Sequence, residues 1–208
     1  MGDTADCYAV SSHSKDPDRA LRLEVEIMVV NEEILDPLDS IGARKKIFLG
    51  GNHEDRLRRY LADKAPEFDG LVDIPSLLHL DTRGWQYVPY KQDTRIGKLH
   101  ITHDVGSAGR YNVFKCLDTY QGNIVTGHTH RLSYIVEGNA KGEHMVSAQF
   151  GWLGDSSKID YMASVNVRRN WSLGFGIGYL DERTRNVHLT PVPIVNYSVI
   201  CEGEMFRG

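Results

Sequence analysis

Apolar and polar positions recur along this chain with two periods, and the switches between them mark its elements. From residue 16 to about 36, Leu21, Val25, Met28, Glu32 and Leu35 fall mostly on one stripe at helical spacing. Asp16-Pro17 is a start signal, because proline suits a first helical turn, and Pro37 is expected to help end the helix. The run Lys-Lys-Ile-Phe-Leu-Gly over 45–50 reads as a short strand after a turn at Gly42. Residues 54 to about 65 return to the helical period, with Leu57 and Leu61 inward and Arg56 and Arg59 outward. Strand patterns follow at 86–89, 97–102 and 123–126, with a helix from about 108 to 120 between the last two. Beyond His130 the pattern is β, with strands at 132–137, 144–150, 174–180 and 186–195, and residues 154–169 are polar and read as loop. Helices alternate with strands early and antiparallel strands follow late. That order predicts a single α/β domain over residues 1–208.

Composition narrows the picture. A chain of 208 residues with 41% hydrophobic and 25% charged content can build one substantial core and is not of the disordered class. The net charge of -4 gives no reason to expect nonspecific nucleic-acid binding, although a nucleic acid can still reach one local basic patch. Cys7, Cys116 and Cys201 are odd in number and far apart, with no Cys-x-x-Cys pair, so a cysteine zinc site is disfavoured and a reduced, cytoplasmic setting is expected. No run approaches the roughly 18 apolar residues of a membrane-spanning helix. The first residues, with Asp3 and Asp6, lack the basic start and apolar core of a signal peptide.

The candidate chemistry sits where strands end beside glycine. Gly51-Asn52-His53-Glu54 follows the strand at 45–50, His103 ends the strand begun at Gly97, and Gly127-His128-Thr129-His130 follows the strand at 123–126. Gly2-Asp3-Thr4-Ala5-Asp6 opens the chain. An asparagine amide oxygen is a neutral hard ligand suited to Mn, Fe or Zn beside imidazole. His128 and His130, two apart, can converge on one site from a tight turn. His100, three positions before His103, is expected to face the other side of its strand. Each piece alone is ordinary turn or terminus chemistry, and only their order is specific.

That order resembles the calcineurin-like metallophosphoesterase superfamily, whose pattern runs Asp-x-His, Gly-Asp-x-x-Asp, Gly-Asn-His-Asp/Glu, a strand-ending His, then Gly-His-x-His. The last four are present between residues 2 and 130. The resemblance implies an α/β fold, a β-sandwich flanked by helices. It implies a metal-dependent phosphoesterase that hydrolyses phosphate esters with a metal-activated water, and an open site without an evident cap turns the expectation toward a phosphodiesterase. It implies Asp3, Asn52, His103 and His128 around one divalent metal, Mn²⁺ first, with Fe, Zn, Ni or Mg as alternatives. His130, with Asp3, would contribute to a second and incomplete site. His53 would protonate the leaving oxygen or stabilise the transferring phosphoryl group, and Glu54 would orient it.

The Asp-x-His motif and the strands leading to it are missing, so the fold is expected to be amino-terminally truncated. Three explanations stand side by side: a longer parent protein, a short form that works with one metal, or a neighbouring chain that supplies the edge. The last predicts a homo-oligomer that covers exposed sheet edges. Asp6 and His13 are weaker candidates as replacement ligands. Arg131, adjacent to His130, is the better phosphate-binding candidate among Arg56, Arg58, Arg59, Arg110 and Arg131. Tyr8, Tyr111 and Trp152 could stack on a base or belong to the core. No cap domain is evident, and an open site suits phosphodiesters, nucleotides or nucleic-acid ends. Two rival functions remain: a catalytically impaired metallophosphoesterase-like module for binding or assembly, and a structural zinc protein using His128 and His130.

Overall fold

In a computed structural model, residues 1–15, 22–155 and 170–208 are described. They form a mixed α/β structure that divides into two compact units, Met1–Gln92 and Asp93–Gly208. The start of the first expected helix and most of the expected loop at 154–169 lie outside the described residues. No helix among the described residues is long and apolar enough to cross a membrane.

The first unit is built on two parallel strands, β1 (Lys46–Leu49) and β2 (Trp85–Val88), in register from Lys46 opposite Trp85 to Leu49 opposite Val88. Both lie where the alternation placed them. The first helix departs from expectation. It runs as α1 (Leu23–Val29), a π-helical turn (Val30–Leu35) and α2 (Asp36–Ser40). Pro37 therefore does not end the helix; it occupies the first turn of α2, where its missing N–H costs little. Ile27, Val30 and Leu35 are buried while Met28 is 49% exposed and Glu32 faces solvent, and the wider turn lets Val30 and Leu35, five apart, share the inward face. The Asn31 side-chain amide donates to the Ile27 carbonyl, four residues back, across this turn. In α3 (Asp55–Lys64), Leu57 and Leu61 enter the core beside Phe48, Ile74, Leu78 and Leu80, as their spacing predicts. A short helix, α4 (Ile74–Leu77), is capped by Asp73, whose carboxylate accepts from the Ser76 N–H.

The second unit holds a five-stranded sheet. Its strands are β3 (Asp93–Ile96), β4 (Leu99–Thr102), β5 (Asn123–Thr126), β6 (Leu132–Gly138) and β7 (His144–Phe150), in the order β3-β4-β5-β7-β6. β4, β5 and β7 are parallel, and β3 and β6 pair antiparallel at the two edges. Parallel neighbours need a crossover, and α5 (Asn112–Tyr120) makes it between β4 and β5. α5 starts later than the expected residue 108.

The polar β3 was not anticipated. It exists because Gly97, at φ 57°, turns the chain tightly back into β4. A Cβ on Gly97 would also meet the Arg185 carbonyl at 2.3 Å. An antiparallel pair, β8 (Gly174–Leu180) and β9 (Val187–Pro193), brings Val187 and Leu189 against Leu99, Val125 and Ala148. A last hairpin, β10 (Ser198–Cys201) and β11 (Glu204–Arg207), also escaped the sequence pattern.

Candidate metal centre

In the first unit, β1 runs straight into the Gly50-Gly51-Asn52-His53-Glu54 turn, and the Gly50 N–H donates to the Val88 carbonyl at 2.8 Å, extending the ladder. Gly50 has no room for a side chain: a Cβ would sit 2.8 Å from the Tyr87 hydroxyl and 3.2 Å from the Tyr90 nitrogen. Glu54, 2% exposed, gathers the chain's opening loop onto this turn. Its carboxylate accepts from the backbone N–H groups of Asp3 (2.9 Å), Thr4 (2.6 Å), Ala5 (2.9 Å) and Gly51 (2.7 Å). Burial pushes its carboxyl above the usual range and the Asp3 carboxylate adds to this, while the N–H donors pull it back. A second acid, Glu26 on α1, accepts from the N–H groups of Cys7 (2.5 Å) and Tyr8 (3.3 Å). Burial raises its carboxyl too.

This clamp places Asp3 beside His53. The His53 backbone N–H donates to Asp3 Oδ1 at 3.0 Å. The His53 ring is held by Asp6, with Nδ1 at 2.7 Å from Asp6 Oδ1, while Nε2 lies 3.9 Å from Asp3 Oδ2. The two ring nitrogens thus face two different carboxylates, Asp6 on the Nδ1 side and Asp3 on the Nε2 side. Arg56 Nη1 donates to Asp6 Oδ1 (2.6 Å) and to the Asp6 carbonyl (2.7 Å). The expectation for Arg56 is corrected. Arg56 turns inward to fix Asp6 instead of facing solvent, because the opening loop crosses the first turn of α3. Asp6 is the carboxylate against the His53 ring, while Glu54, expected to orient that ring, accepts from backbone N–H groups. Asn52 is half-buried, and its carbonyl accepts from Arg59 at 3.1 Å.

In the second unit, His103 follows the last residue of β4 and is 1% exposed. Its carbonyl accepts from the Gly127 N–H at 2.9 Å, carrying the β4–β5 pairing one step further and delivering His128 next to it. The two rings lie 5.2 Å apart, nearly perpendicular, with a ring nitrogen of each within 4.8 Å of the other. His100, by contrast, bonds Asp93 at 2.7 Å and packs edge-on against Tyr120. Its separation from His103 agrees with the strand alternation.

His128 and His130 both adopt left-handed backbone, at φ 63° and 57°. Thr129 between them points into the protein: its hydroxyl donates to Gln149 Oε1 (2.8 Å), and Gln149 Nε2 donates to Thr126 Oγ1 (3.1 Å). His130 stacks on Trp152 (ring centroids 5.7 Å, 20°) and meets the Trp171 ring edge-on at 4.0 Å. Arg131 has two guanidinium nitrogens, Nε and Nη1, enclosed without an acceptor among the described residues. A guanidinium so placed is left wanting an anion or water.

The sequence missed Glu26, Gln149 and Trp171 as parts of this framework. Asp6 was legible as the second acid of Gly-Asp-x-x-Asp, but its task was not. No protein-family model matches this chain, and no curated protein matches it either.

Proposed function

We propose that the protein is a metal-dependent phosphoesterase of the calcineurin-like metallophosphoesterase type, acting on phosphodiesters. The observation that carries the reading is the His53–Asp6 pair, with Nδ1 2.7 Å from the Asp6 carboxylate and Nε2 on the opposite side of the ring. A histidine oriented in this way is the equipment of a general acid. His103 and His128 support it, as two adjoining imidazoles at strand ends.

In this reading, which rests on the order of the motifs along the chain, Asp3, Asn52, His103 and His128 would hold one divalent metal, with Mn²⁺ the first choice. The donor set fits: one carboxylate, one amide and two imidazoles suit a metal of intermediate hardness and leave the centre net positive toward a phosphate ester. Such an ion lowers the pKa of bound water and offsets charge on the phosphate oxygens. The chain's own part is as follows. Asp6 keeps the His53 ring in place, the imidazolium form of His53 gives its Nε2 proton to the leaving oxygen and is left as the neutral ring, and Arg56 keeps Asp6 from turning away. Arg131 offers its guanidinium to the phosphate, and His130 belongs to the second, incomplete position.

Asn52→Ala and His128→Ala are expected to abolish stoichiometric Mn²⁺ binding in equilibrium dialysis while the chain stays folded by circular dichroism. Stoichiometric metal retained in both variants would refute the ligand set.

A further inference from the structure

The loop that leaves His103 ends in an exposed aromatic and cationic patch that the proposed chemistry does not use. Tyr111 is 69% exposed and Phe114 is 44% exposed, one helical turn apart at the start of α5. Their ring centroids are 6.4 Å apart, tilted by 55°. The Arg110 guanidinium sits over the Tyr111 ring at 6.0 Å, and Lys115 is exposed beside Phe114. The inward face of the same turn is firmly anchored. Asn112 and Val113 are buried, the Asn112 side chain is bonded by the Ser107 hydroxyl, and Cys116 lies against Thr126 of β5. Two large rings are therefore presented to water from a rigid base, with cations on both sides.

We infer that Arg110, Tyr111, Phe114 and Lys115 form a stacking platform for single-stranded nucleic acid, which makes a nucleic-acid phosphodiester the substrate class of the proposed site. This rests on the phosphoesterase reading for the word substrate, but the binding surface stands on its own geometry. Exposed aromatic faces accept any unstacked base, and Arg and Lys beside them neutralise the phosphates. Charge complementarity selects this occupant over an apolar protein face, because Arg110 and Lys115 border the rings directly. Asp118 lies one turn further along α5, and Asp104 is engaged by the Gly106 N–H. A duplex would not serve, since its bases are already stacked. The chain's net charge of -4 gives no general attraction for nucleic acid, so a local cationic patch has to supply it.

The test is fluorescence anisotropy of a labelled oligothymidylate with the full chain in EDTA, beside an abasic strand of equal length and a duplex. The same preparation is assayed for Mn²⁺-dependent turnover of an aryl phosphodiester. The intact single strand is expected to bind about tenfold or more tightly than the abasic strand. Tyr111→Leu with Phe114→Leu is expected to erase that preference, whereas Tyr111→Phe keeps it. Arg110→Gln should weaken both strands alike and flatten the salt dependence. Equal binding of intact and abasic strands, or a preference that survives the double substitution, overturns the platform whatever the turnover. So does an absence of oligonucleotide binding accompanied by self-association that the same substitutions remove, which would give the patch to a protein contact. Base-dependent binding without Mn²⁺-dependent turnover leaves the platform standing and removes the phosphoesterase reading.

Discussion

The opening loop of the first unit and the His128–His130 turn of the second solve the same problem by different means. Both hold non-glycine residues in left-handed backbone: Asp3 at φ 58° and Cys7 at φ 50° in one, His128 at 63° and His130 at 57° in the other. Each such residue costs on the order of 1–2 kcal/mol. The first loop is held by charge, with Glu54 and Glu26 accepting from the N–H groups of Asp3, Thr4, Ala5, Cys7 and Tyr8. The second is held by a neutral chain, Thr129 to Gln149 to Thr126, and by the indoles around His130. Charge-assisted bonds are roughly twice as strong as neutral ones. They also bring the cost of burying a carboxylate and a dependence on pH that the neutral chain lacks.

The largest effect should come from removing the charged clamp. Glu54→Ala strips the acceptor from four backbone donors and is expected to destabilise the chain by about 3–5 kcal/mol in urea unfolding. A loss below about 1 kcal/mol would mean that water replaces the carboxylate and the clamp holds nothing. Breaking the neutral chain should cost less. Gln149→Leu removes the Gln149 bonds of the Thr129 and Thr126 hydroxyls, leaving Thr126 its Cys116 contact, and about 1–3 kcal/mol is expected. If this loss matched that of Glu54→Ala, the contrast between the two loops would vanish.

The smallest effect is in the pH dependence. Glu26 is raised from 4.5 by burial, so the folded chain keeps this proton after the unfolded chain has lost it. Its contribution therefore favours folding below about 4.5 and fades as pH climbs toward the raised value. Asp39 has the opposite sign. Hydrogen bonding from Lys46 first, and from Arg83 and Trp85, lowers it from 3.8 to about 2, against a smaller opposing effect of desolvation. Its contribution is present above about 3.8 and is lost as pH falls toward 2. Chemical unfolding across pH 2 to 7 should show the falling limb reduced in Glu26→Gln and the acid limb reduced in Asp39→Asn. Identical profiles in all three chains would contradict both assignments.

How much of this was legible follows from range of interaction. Strands β1, β5, β7 and β8 announced themselves because alternation and flanking glycines are local. Leu57 and Leu61 were placed correctly from spacing alone. The π turn was not legible: it inserts one residue into the helical period, and Pro37 then reads as a stop when it is a first-turn residue. β3 is polar and pairs only through its hairpin partner, so its burial pattern carries no signal. The strand-end positions of Asn52, His103 and His128 were visible beside their glycines. Asp6 holding His53, Glu26 reaching Cys7, and Gln149 reaching Thr129 join residues 47, 19 and 20 positions apart, and sequence spacing says nothing of such bonds.

The most direct test of the central claim is turnover of an aryl phosphodiester with added Mn²⁺, comparing the chain with its His53→Ala variant. Turnover that requires Mn²⁺ and falls about 10²–10⁴-fold in the variant is expected of a general acid held by Asp6. Turnover that is equal in the two folded chains, or absent from both, would contradict the phosphoesterase reading.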